Sequence, residues 1–173
     1  MKIYFLKLSD ILSEIKNNRI NENTENKNFK SQKRMLQHFA WRFLVTNVCK
    51  KFYNIENPEI IKINKKPFLK NNEIYFSITH SHEYVMAIFD THPCAIDLEK
   101  IRPINLEKMS KRYDKNFETL NDFFRFWTQY ESSIKLGEKS ANIISDYFEN
   151  EYIYSINTKN NIEKAPIPIN YFQ

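Results

Sequence analysis

The stretch that most constrains the fold is residues 73–102, where three short runs of alternating apolar and polar side chains are divided by brief breaks. In 73–79, Ile74, Phe76 and Ile78 fall on one face of a strand and Tyr75, Ser77 and Thr79 on the other, because successive strand side chains point to opposite sides. Residues 83–90 alternate in the same way. Thr91-His92-Pro93 then interrupts them, proline having no N–H to give to a ladder. The third run, 94–99, sends Ile96 and Leu98 toward a core and Asp97 and Glu99 together to the other face, roughly 6–7 Å apart. Two carboxylates so placed repel each other unless a cation or a donor cluster lies between them. The ordinary alternative is a solvated strand face.

At 173 residues the chain is one domain, or two small halves sharing a core. Its 42% hydrophobic and 15% aromatic content supports a packed globule, and a formal charge of +5 favours a polyanionic partner. No apolar run approaches a membrane span, and Met1-Lys2 leads into a strand-like segment instead of a signal peptide, so a cytoplasmic protein is expected. Two cysteines, Cys49 and Cys94, are too few for a disulfide framework and have no metal-ligand spacing. With a single glycine, Gly137, the chain has no glycine-rich phosphate loop.

Residues 2–8 read as a strand, and Ser9 or Asp10 as the cap of a short helix reaching Lys16. Residues 17–30 are rich in Asn and Glu, as in an exposed connection. From Ser31 the pattern turns helical: Leu36, Phe39, Phe43 and Asn47 form a stripe that Met35, Ala40 and Leu44 widen, leaving Arg34, Gln37, Trp41 and Arg42 off it. A short strand is expected at 59–63 and a turn at 64–67. Residues 105–112 are weakly helical, 145–148 and 152–156 strand-like, and 165–168 extended over the surface.

The second informative stretch is 117–139. Leu120, Phe124, Trp127, Glu131 and Ile134 follow one another at helical spacing, so a carboxylate is expected in the middle of a buried stripe. A buried carboxylate must be protonated, paired or bound to a cation. Pairing with Lys135, one turn on, would contribute only about 0.3–0.5 kcal/mol on an exposed helix. Asp97, Glu99 and Glu131 together suit one Mg²⁺, a hard ion that takes oxygen ligands.

Four motifs occur in order: Lys66-Pro67; Phe76-Ser77-Ile78-Thr79-His80-Ser81; Ala95-Ile96-Asp97-Leu98-Glu99-Lys100-Ile101-Arg102-Pro103; and Phe126-Trp127-Thr128-Gln129-Tyr130-Glu131-Ser132-Ser133-Ile134-Lys135. Together they resemble the 4′-phosphopantetheinyl transferases, in the longer two-half form typified by surfactin synthesis, over about residues 31–139. The resemblance implies transfer of the phosphopantetheine arm of coenzyme A to a serine of an acyl or peptidyl carrier protein, with release of 3′,5′-ADP. It implies Asp97, Glu99 and Glu131 as Mg²⁺ ligands, with Glu131 and Lys135 catalytic. It also implies Arg34, Lys66, Thr79, His80, Asp97 and Lys135 around coenzyme A, with Arg34, Lys66 and His80 near the 3′-phosphate. The fold implied is α+β, with two similar halves (1–101 and 102–173) that each pack a helix on a small antiparallel sheet, the active site lying between them. The protein is expected to be a monomer needing neither nucleic acid nor membrane.

The sequence departs from the family pattern at Tyr130, where a Lys or Arg is usual, at Lys65, where Gly is usual, and in a short C-terminal portion. Competing readings are a degenerate member that binds without transfer, a basic nucleic-acid binder, and a metal-dependent nuclease. The nuclease is disfavoured because Lys100 directly follows Glu99 and so points to the opposite strand face. A zinc site on His80 and His82, read as sharing a strand face, lacks further ligands; His82 and His92 are expected at the surface.

Overall fold

The computed structural model describes residues 1–16, 31–64, 66–70, 74–137 and 142–172. The expected connection at 17–30, Lys65, Glu73 and the end of the second helical stretch at 138–139 lie outside these residues. The architecture is mixed α+β, and the chain divides into two compact units, Met1–Thr91 with Pro166–Gln173, and His92–Ala165.

In the first unit, strands β1 (Lys2–Lys7), β4 (Tyr75–Ser81), β5 (Tyr84–Asp90) and β9 (Ile169–Asn170) form a sheet in the order β4-β5-β1-β9. β5 pairs antiparallel with both β1 and β4, whereas β9 joins β1 in parallel. The β4–β5 turn is His82-Glu83, with His82 at φ 50, a left-handed conformation that His tolerates better than most residues. β2 (Ile60–Ile63) and β3 (Lys66–Leu69) make a separate hairpin. Lys66 and Pro67, expected in the turn, are already in β3, because Ile63 pairs with Lys66.

Helix α1 (Leu8–Lys16) follows β1 directly, so Ser9 and Asp10 lie inside its first turn and do not precede it as caps. α2 (Gln32–Tyr53) is capped by Ser31, whose side chain accepts from the Arg34 N–H, and ends at Asn54 in the left-handed region. Its buried face is Gln37, Ala40, Trp41, Leu44, Val45, Val48 and Cys49, not the 36/39/43/47 stripe, whose apolar members are half-buried at its margin. Apolar residues surround this helix, so periodicity did not select a side; contact with Tyr4, Leu6, Val85, Ala87 and Phe89 of the sheet did. Each fully buried aliphatic side chain there contributes about 1.5–3 kcal/mol.

In the second unit, β6 (Cys94–Lys100) pairs with β8 (Tyr152–Thr158), which pairs with β7 (Asn142–Phe148), all antiparallel. The third run of the opening stretch therefore does not extend the β4–β5 hairpin but begins another sheet. α3 (Leu106–Tyr113) starts at the cap Asn105. α4 (Leu120–Leu136) starts at a capping box in which Thr119 and Asp122 satisfy each other's backbone N–H groups. It ends at Gly137 with φ 80. A Cβ at Gly137 would meet nothing within 4 Å, so the backbone angle is what favours glycine there. Near the C-terminus Ala165 is buried while Ile167 is exposed. No helix among the described residues is long and apolar enough to cross a membrane.

Candidate functional site

The residues singled out from sequence fall into two clusters, one in each unit. In the first unit, strand alternation puts Phe76, Ile78 and His80 on one face of β4. Phe76 is buried in the core beneath α2 and Ile78 packs against it; His80, two residues on, is exposed at the end of that row. Arg34 stands in the first turn of α2, its N–H held by the Ser31 hydroxyl at 3.3 Å. A cavity of about 400 Å³ is lined by Arg34, Gln37, His38, Trp41 and His80.

Arg34 and His80 are thus brought together, while Lys66 and Thr79 are not among the lining residues. Lys66 lies over the Phe68 ring at 5.3 Å, and Thr79 is buried on the strand face opposite His80. The sequence reading missed Gln37, His38 and Trp41, yet their spacing from Arg34 (three, four and seven residues) is that of one helix face. His82 sits in the exposed β4–β5 turn, so it shares no strand face with His80, and that pairing for zinc falls away. His92 is exposed, as expected.

In the second unit, Asp97 lies directly opposite Ser155 on β8, and cross-strand partners share a face. That face meets α4. The Thr128 hydroxyl is 2.6 Å from that of Ser155, Ser155 is 2.8 Å from the Ser145 hydroxyl, and the Gln129 amide donates to Ser145. Asn157 donates to the Ser133 hydroxyl at 2.9 Å. The helix–sheet seam therefore has a hydrogen-bonded polar centre, with an aromatic cluster around Phe123, Phe124, Phe117 and Ile153 beside it.

This arrangement corrects the expectation for α4. The buried positions are Phe123, Phe124, Thr128, Ser132 and Leu136, whereas Ile134 is 56% exposed and Glu131 only half-buried. Glu131 lies beside the buried face instead of within it, and it does not pair with Lys135. The Lys135 ammonium instead donates to Asp97 Oδ1 at 2.7 Å and to the Ile96 carbonyl at 3.0 Å. Glu99 accepts from Arg102 at 3.0 Å. The Glu131 carboxylate makes no hydrogen bond or ion pair among the described residues. Tyr130 is 44% exposed and stacks on Phe126, with rings 5.9 Å apart.

Asp97, Glu99 and Glu131 fit Mg²⁺ in donor type, being all oxygen ligands. They are not placed as a ligand set: among the described residues no three His, Cys, Asp or Glu side chains group closely enough to hold an ion. Neither cysteine is exposed, and burial pushes the Cys49 thiol up to about 11, so it is not an activated nucleophile.

No family model matches the chain. Among curated proteins it is similar to 4′-phosphopantetheinyl transferase Sfp of Bacillus subtilis (strain 168), with 31% identity over 121 residues, 61% of this chain and 53% of that protein. It is also similar to 4′-phosphopantetheinyl transferase ffp of Bacillus subtilis, with 32% identity over 84 residues, 43% of this chain and 38% of that protein. A third relative is 4′-phosphopantetheinyl transferase gsp of Aneurinibacillus migulanus, with 33% identity over 95 residues, 47% of this chain and 40% of that protein. The chain spans about half the length of the curated relatives it matches, or less. These matches bear out the family resemblance carried by the four motifs.

Proposed function

We propose that this chain, a homologue of the 4′-phosphopantetheinyl transferases over about half their length, moves the phosphopantetheine arm of coenzyme A onto a serine of an acyl or peptidyl carrier protein. The observation that carries this is the similarity to proteins named for that transfer. Two features of the geometry support it: a basic cavity where Arg34 and His80 meet, and Lys135 fixed on Asp97 across the α4–β6 seam.

In the transfer, the serine Oγ forms a bond to the phosphorus that bears the pantetheine arm. The bond from that phosphorus to its bridging oxygen breaks, and 3′,5′-ADP leaves with the electron pair. The serine proton passes to a general base, for which the carboxylates of Glu131 and Glu99 are the candidates among this chain's side chains. Lys135 offsets phosphate charge, and Arg34 and His80 hold the nucleotide end; Lys66 and Thr79, which do not line that cavity, are assigned to the same end by the family resemblance alone. Positioning and charge neutralisation are most of what phosphoryl-type transfer asks of a protein. Mg²⁺ would offset pyrophosphate charge when bound; Asp97, Glu99 and Glu131 are its ligands by family resemblance and donor type only, since they are not grouped as a ligand set among the described residues. The two-half organisation belongs to the proposal; the division into compact units at residues 91 and 92 supports it in outline, ten residues before the boundary expected at 101. In this role the protein acts in the cytoplasm as a monomer on coenzyme A and the carrier, without nucleic acid or membrane.

The test is intact-mass analysis of apo acyl and peptidyl carriers incubated with the protein, coenzyme A and Mg²⁺. The expected result is a gain of one phosphopantetheine on the carrier serine, abolished in Asp97→Ala and Glu131→Ala proteins with unchanged circular dichroism. Coenzyme A binding with no mass gain on any carrier would overturn transfer in favour of binding alone.

A further inference from the structure

The cavity in the first unit contains a histidine that none of the four motifs covers. His38 and Trp41 are one turn apart on α2, and the Trp41 indole N–H donates to His38 Nδ1 at 3.2 Å, with the rings edge to face at 5.4 Å. Trp41 is buried, so this donor is held in place by the core. Its consequence for the imidazole is specific. A neutral histidine has one donor and one acceptor nitrogen, and with Nδ1 accepting, the proton sits on Nε2. With Nδ1 accepting from the indole, the donor that the ring presents is the N–H at Nε2.

The rest of the lining has matching chemistry. Arg34 carries a permanent positive charge and only donors, Gln37 offers an amide, and His80 stands across the cavity on β4. None of the five lining residues is acidic. One fixed cation surrounded by N–H groups suits a terminal phosphate, which carries about −1.5 to −2 charges at pH 7 and accepts at three oxygens. At about 400 Å³ the cavity is within the usual range of small-molecule sites.

We infer that His38, set in its Nε2–H form by Trp41, is a further binding residue of this cavity, which takes a 3′-phosphomonoester of a nucleotide. This rests on the proposed use of coenzyme A, and it adds to Arg34 and His80 a neutral donor whose proton is positioned by a buried indole.

The experiment is calorimetric titration of the full chain with 3′,5′-ADP and with 5′-AMP, which lacks the 3′-phosphate. The wild type is expected to bind 3′,5′-ADP the more tightly. His38→Ala should weaken 3′,5′-ADP binding about tenfold, as expected for loss of one hydrogen bond to a charged group, and leave 5′-AMP unchanged. His38→Gln, which retains an N–H donor, should recover part of the loss. Trp41→Phe, which keeps an aromatic ring but removes the indole donor, should weaken 3′,5′-ADP severalfold and leave 5′-AMP binding unchanged, measured well below its melting temperature. Equal weakening of both nucleotides, or no weakening, in the His38 variants would overturn the assignment. Unchanged binding by Trp41→Phe would overturn the tautomer-setting role. A wild type that binds the two nucleotides equally would instead overturn the underlying use of a 3′-phosphate, whatever His38 does.

Discussion

Removing either member of the Asp97–Lys135 pair should destabilise the second unit, and the two losses should be unequal. At 2.7 Å and an effective dielectric of about 20, the bare attraction is about 6 kcal/mol. Desolvation offsets most of it and leaves a net value near the 1.5–3 kcal/mol typical of hydrogen bonds to charged groups. The asymmetry follows from exposure: the Asp97 side chain is 9% exposed and that of Lys135 is 29% exposed. Lys135→Met removes the ammonium from a carboxylate with little access to water and should cost about 3 kcal/mol. Asp97→Asn leaves an ammonium that retains the Ile96 carbonyl and can reach water, so its cost should be about 1.5 kcal/mol. In a chain of this length those losses lower the melting temperature by about 6–12 °C and 3–6 °C respectively. The assay is urea unfolding of both single variants and the double variant, followed by the fluorescence of Trp127, which packs in this unit. The double variant should lose about 1.5–2 kcal/mol less than the sum of the singles. Additivity within about 0.5 kcal/mol, or an Asp97→Asn loss equal to that of Lys135→Met, would refute the reasoning.

Three further outcomes are expected. Tyr130→Phe should change neither stability nor transfer, because the ring is what stacks on Phe126 and lies 5.8 Å from Trp127, whereas Tyr130→Lys should lower the melting temperature by about 2–4 °C with no gain in rate; a slower, equally stable Phe variant would point to the hydroxyl. Burial pushes the Cys49 thiol from an ordinary value near 9 up to about 11 and, with Asp146 nearby, the Tyr154 hydroxyl from 10 to about 12. Both folded values lie above the unfolded ones, so stability should hold below about pH 9 and fall between pH 9 and 12. Melting curves across that range check this, and Cys49→Ala should remove the earlier part of the fall. Thr119→Ala, which breaks the capping box of α4, should cost about 1 kcal/mol in thermal unfolding, and no measurable change would show that Asp122 alone suffices as the cap.

The strands of the opening stretch, the break at Thr91-His92-Pro93, the helix starting after Ser31 and the strand-like runs of the C-terminal portion were legible because each depends on nearest neighbours. Alternation sets a strand face, proline ends a ladder, and a hydroxyl caps a helix within three residues. The four motifs, and with them the resemblance to the transferases, were legible for the same reason: each is a short run of neighbouring residues along the chain. The family resemblance also placed Arg34 and His80 together at one phosphate, but the other walls of their cavity, Gln37, His38 and Trp41, were not singled out, since they lie off the apolar stripe that periodicity had chosen.

Faces and partners were decided elsewhere. Counting apolar residues on α4 put Glu131 and Ile134 in the core, whereas the seam with β6 and β8 is built from Thr128, Ser132, Ser155 and Asn157. Burying polar side chains is inexpensive when their hydrogen bonds are made across the seam, and no one-dimensional pattern records which hydroxyl will meet which. The same holds for Lys135, which lies one helical turn from Glu131 in sequence but pairs with Asp97 in space, and for β6, whose neighbour in the sheet is not β5 but a strand more than fifty residues away. The sequence by itself determined most of the elements and the resemblance to a family; the tertiary structure alone decided several element ends, which sides face inward and which charges meet. The reason is that backbone propensity acts over a few residues, while burial and ion pairing depend on groups brought close only by the folded chain.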